Sequence, residues 1–121
     1  MKHIEQVELV LNDGQKQTFD FMLGARELME YEKVCLIETG KEGSFLTDLE
    51  KIQKGSITHI LIMMAVCIKQ NGKSIGMKKL DDEIDIFKNM QEIMNAMARC
   101  IKVDMNIPKD PTDSKGKRLV K

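Results

Sequence analysis

The side chains able to do chemistry are few: two histidines, three cysteines and a group of aspartates just past residue 80. His59, Met63 and Cys67 fall at i, i+4 and i+8, one face of a helix, and come nearest to a soft-metal site. Such a site needs one or two further ligands, and none is spaced to supply them. His59 therefore reads as a histidine at the edge of a core. Cys67 stands two helical turns from His59, beyond hydrogen-bond reach along one helix, so the two do not read as nucleophile and base. Asp81, Asp82 and Asp85 crowd what reads as a helix start, where capping accounts for them without acid–base work. Asn12-Asp13-Gly14 lacks the alternating carboxylates and late glutamate of a calcium loop. Gly24, Gly40, Gly43, Gly55, Gly72 and Gly76 stand apart and make no phosphate cradle. No catalytic residue, cofactor or metal is expected, and the chain does not read as an enzyme.

A chain of 121 residues suits one domain with its own core. Nineteen basic residues balance nineteen acidic ones, so no global field gathers phosphate or anionic lipid. Nucleic-acid binding would need a local patch and is not expected. With one Tyr, four Phe and no Trp, stacking platforms for single strands are lacking. Cys35, Cys67 and Cys100 are odd in number, widely spaced and set in apolar helical stretches, which points to free thiols in a reducing compartment. Met1-Lys2-His3-Ile4-Glu5-Gln6 carries charge where the apolar part of a secretion signal would stand. The longest apolar run, Ile60 to Ile68, falls short of the roughly 18–20 residues that cross a bilayer, so no membrane is expected.

The spacing predicts an α+β, mainly helical fold: an N-terminal β-hairpin packed on a bundle of four to five helices, with a flexible C-terminal tail. Val7, Leu9 and Leu11 alternate with Glu8, and Phe19 and Phe21 alternate with Thr18 and Asp20, around an Asn12-Asp13-Gly14 turn; the hairpin is 4–21. A helix over about 23–39 stops at Gly40, with Ala25, Leu28, Met29, Leu36 and Ile37 as its inward stripe, widened by Tyr31 and Cys35. Arg26, Glu27, Glu30, Glu32 and Lys33 are its water face. A short helix covers 45–53. Ser56 heads a near-wholly apolar helix over 56–69, taken as central and ended by Asn71-Gly72-Lys73. Residues 74–77 read as an extended link. Asp81 or Asp82 caps a helix over 81–88, and Asn89 with Glu92 starts another over 89–104, unless the two are continuous with no break near Lys88. Ile84, Phe87, Met90, Ile93, Met94, Met97, Ala98, Ile101 and Met105 form its core spacing. Residues 1–107 make a single globular domain and 108–121 a flexible basic tail.

Two features suit a binding surface. The last helix is rich in methionine, whose flexible thioether fits varied partners, and Met90, Met94, Met97 and Ile101 are the candidate contacts there. Lys115, Lys117 and Arg118 in the tail are candidates for an acidic partner. Core filling and a merely solvated tail are the plainer readings of the same residues.

The order of hairpin, a helix opening Gly24-Ala25-Arg26-Glu27-Leu28, an apolar helix, Asn71-Gly72-Lys73 and the acidic Leu80-Asp81-Asp82-Glu83-Ile84 resembles the tail assembly chaperones of long-tailed bacteriophages and prophages. The resemblance covers roughly Val7 to Val103. It implies a non-catalytic protein of the bacterial host cytoplasm, absent from the mature virion. Such chaperones coat the aggregation-prone tape measure protein, help tail-tube protein assemble around it, and often have a longer, frameshifted form. Self-association is compatible with this reading. The rival readings are a small DNA-binding regulator and a structural protein of a phage particle.

Overall fold

The computed structural model describes residues 4–104. Strands β1 (Ile4–Val10) and β2 (Lys16–Met22) form the expected hairpin, in register from Ile4↔Met22 to Val10↔Lys16. Its turn closes where Gly14, at φ 89°, donates its N–H to Leu11 O, while Asp13 Oδ1 accepts the Gln15 N–H at 2.9 Å. Val7, Leu9, Phe19 and Phe21 share one face and are buried.

The hairpin does not stand alone. It is half of a four-stranded antiparallel sheet in the order β1-β2-β3-β4, with β3 at Ile68–Gln70 and β4 at Lys73–Ser74. The apolar spacing predicts a central helix through Lys69, but α3 is Ile57–Cys67. Asn71 (φ 54°) and Gly72 (φ 78°) both take positive φ and form a two-residue hairpin turn between Gln70 and Lys73. Asn-Gly is the strongest short hairpin signal, and it outweighs the helical run before it. Ile68 then pairs with Phe21 and Lys69 with Asp20, extending the hairpin sheet.

Helix α1 (Ala25–Thr39) ends as expected at Gly40, whose φ of 74° lets its N–H reach Leu36 O at 2.9 Å. Helix α2 is Phe45–Gln53, and Ser44 Oγ accepts the Thr47 N–H at its head. Helix α3 is central: Ile60 and Ile62 through Cys67 are buried, and it packs on α1, α2 and α4.

The last two helices begin earlier than expected: α4 is Gly76–Glu83 and α5 is Ile86–Asp104. The chain breaks at Ile84-Asp85, not near Lys88. Asp81 and Asp82 therefore lie in the last turns of α4, and the cap of α5 is Asp85, whose Oδ1 accepts the Lys88 N–H. Ile84 is drawn into an isolated bridge with Leu11, and the Asp85 N–H reaches Val10 O. Asn89 is no cap. It is 1% exposed, and its amide pairs with both backbone groups of Val10 at 2.8 Å, acting as a piece of strand against the sheet edge.

Candidate partner-binding surface

His59 is held by its own helix start. Nδ1 lies 2.7 Å from Ser56 Oγ, and Nε2 lies 3.8 Å from Asp48 Oδ2. Met63 and Cys67, its helical neighbours, are 0% and 1% exposed. Burial, then the nearby Glu27 carboxylate, pushes the Cys67 thiol well above its ordinary pKa, which suppresses the reactive thiolate. The succession Ser56, His59, Asp48 escaped the sequence reading because Asp48 comes from a different helix. Its 3.8 Å step is longer than a hydrogen bond. Asp48 Oδ2 also accepts the Tyr31 hydroxyl at 3.0 Å, and burial followed by that carboxylate raises the Tyr31 pKa. Tyr31 in turn packs edge-on to Phe45, centroids 5.7 Å apart. These contacts clamp α2 to α1 and α3. Gly43 lies so close that a Cβ there would stand 2.7 Å from Cys35 Sγ and 2.9 Å from Asp48 Oδ2.

The face of α1 expected to meet water does so at Arg26, Glu32 and Lys33 but not at Glu27. Glu27 is 1% exposed, whereas Met29, Leu36 and Ile37, expected inside, are 63%, 49% and 76% exposed. The inward residues are Glu27, Tyr31 and Cys35, spaced by four. Glu27 is tolerated there because its charge is met. Oε1 accepts the Gly24 N–H at 2.8 Å, and Oε2 sits 2.9 Å from Lys69 Nζ, an ion pair outside hydrogen-bond geometry. Burial works to raise the Glu27 carboxyl, but contact with Lys69, the Gly24 N–H and the Lys69 charge outweigh it and hold the group below its ordinary value. Lys69 also donates to Ser74 Oγ at 2.9 Å. This network joins α1, β3 and β4, and the alternation of types along α1 gave no sign of it.

One apolar strip at the surface runs along α5. Phe87, expected in the core, is 84% exposed. Met90, Met94 and Ile101 are partly buried against the core, and Ala98 is exposed. At steps of three and four these residues form one strip about 21 Å long down the helix. Met97 lies beneath it at 2% exposure and serves the core. Beside the start of the strip, Leu61, Met77, Leu80 and Ile86, with the charged Lys78 and Asp81, line a recess of about 300 Å³ between α3, α4 and α5. Three of the four expected α5 contacts thus reach a common surface, and Phe87 joins them. Its place three residues before Met90 was the signal available, read instead as core spacing.

Charge on α5 is partly engaged: Arg99 Nε donates to Glu5 Oε1 at 2.8 Å, a bond that raises the guanidinium pKa further. Lys115, Lys117 and Arg118 lie outside the described residues, as do His3 and Met105. Among the described residues no group of three or more His, Cys, Asp or Glu is placed to hold a metal ion, and no helix is long and apolar enough to cross a membrane. No protein-family model matches the chain, and neither does a curated protein or a solved structure.

Proposed function

We propose that this chain is a non-catalytic tail assembly chaperone that covers apolar helical stretches of a phage tape measure protein and assists assembly of tail-tube protein. The observation that carries the reading is the α5 strip, where an aromatic ring 84% exposed heads a row of half-buried methionines. A large exposed apolar side chain in line with others marks an interaction surface more than a solvated one. A helical partner with its own apolar stripe fits such a row by helix-on-helix contact, and thioethers adapt to many non-identical stripes. The protein acts in the host cytoplasm and is left out of the mature virion.

Coexpression tests it. Wild-type protein keeps a tape measure protein in the soluble fraction, and Phe87→Asp does so less well while folding normally. Unchanged solubility of the tape measure protein with and without the wild-type chain contradicts the reading.

A further inference from the structure

The outer face of α1 is a second apolar surface, separate from the strip on α5. Met29 and Leu36 stand seven residues apart on it, two helical turns, with Ile37 alongside. Arg26 and Lys33 run along the middle of the same face, all five exposed; Glu32 lies on one side of it and Glu30, whose Oε1 accepts the Ser74 hydroxyl at 2.9 Å, on the other. The face is not smooth. A recess of about 530 Å³ lies beside Met29, bounded by Arg26, Glu30 and Lys33. Another of about 560 Å³ lies beside Leu36, bounded by Glu32, Lys33 and the loop from Glu42 to Thr47.

We propose that this face binds a second copy of the chain, α1 against α1, antiparallel about a two-fold axis. In that pairing Met29 of one copy lies opposite Leu36 of the other, twice over, because a two-fold interface repeats every contact. Each apolar knob then meets the recess beside its counterpart. Lys33 of each copy comes within reach of Glu32 of the other, so the charges that border the face complement themselves. A polyanion would be repelled by these glutamates, and a purely apolar partner would leave Lys33 and Arg26 desolvated without a partner. A second copy meets both demands. A helix of 15 residues is about 22 Å long, and a pair of this length covers less than the roughly 800 Å² per partner of a standard interface. The dimer is therefore weak and strongly concentration-dependent.

Sedimentation equilibrium of the full chain over a wide concentration range tests this. The wild type rises from monomer toward twice that mass. Met29→Glu and Leu36→Glu stay monomeric, and since both sites are exposed their urea unfolding matches the wild type. Lys33→Glu weakens association at least about fivefold, and mixing it with the Glu32→Lys chain restores a heterodimer. A wild type that remains monomeric throughout overturns the proposal. So does a Met29→Glu chain that associates as well as the wild type, or a mixture that fails to restore the pair.

Discussion

Replacing Lys69 by methionine puts the buried ion pair to a quantitative test. The Lys69 and Glu27 side chains are 5% and 1% exposed and 2.9 Å apart. Methionine fills the space but removes the cation, leaving a buried carboxylate with the Gly24 N–H and the cost of its desolvation. Breaking a pair of this kind costs about 3–5 kcal/mol, a large share of a total stability of about 5–15 kcal/mol. Adding Glu27→Gln keeps an oxygen for the Gly24 N–H and removes the stranded charge, so the double variant regains all but about 1 kcal/mol. The pH dependence has opposite signs in the two chains. In the wild type the Glu27 pKa is depressed, so its contribution is present above the unfolded value of 4.5 and is lost as pH falls through the folded one. In Lys69→Met burial is unopposed, the folded state takes up the proton more readily than the unfolded one, and stability rises as pH falls. Urea unfolding at pH 7 and at mildly acidic pH measures the gap. A gap under about 1 kcal/mol at neutral pH, or one that does not narrow in acid, refutes the reasoning.

Three further outcomes follow from other contacts. Gly43→Ala drives a methyl into Cys35 Sγ and Asp48 Oδ2 and destabilises by about 1–3 kcal/mol, and Cys35→Ala returns part of that in thermal unfolding. Asn89→Leu strips the Val10 N–H and C=O of their partners, costs about 2–4 kcal/mol, and speeds hydrogen exchange at the Val10 amide, which Asn89→Asp restores only in part. Phe87→Asp changes urea stability by less than about 0.5 kcal/mol, because the ring is 84% exposed, yet lowers affinity for an apolar helical partner about tenfold or more.

The parts of the fold legible in the sequence were those set by local alternation and by helix punctuation. Val7, Leu9, Phe19 and Phe21 declared the hairpin, Gly40 bounded α1, and the run from Ile60 declared a helix enclosed by its own protein. The failures share a cause. Wherever a polar side chain is paired at long range, counting apolar residues mislocates the inward face. Glu27 is inside because Lys69, forty-two positions on, neutralises it, and Met29, Leu36 and Ile37 are turned outward as a consequence. Asn89 is inside because Val10 needs an amide at the sheet edge, so a residue read as a helix start lies within α5. Asp81 and Asp82 read as a helix start because two carboxylates suit that end, whereas Lys78, four residues before Asp82, supports the acid at 2.9 Å late in α4. The candidate surface was partly legible for the same reason. Met90, Met94 and Ile101 follow the helical period, but whether Phe87 faced in or out depended on where α5 began.

Calorimetric titration separates apolar contact along α5, the proposed basis of binding, from an electrostatic one. A helical tape measure segment is added to the wild type at several temperatures and salt concentrations. Apolar binding shows a negative heat-capacity change, an affinity nearly indifferent to salt, and loss of both heat and affinity in Phe87→Asp. Affinity that falls steeply with salt, or binding that Phe87→Asp leaves intact, would contradict it.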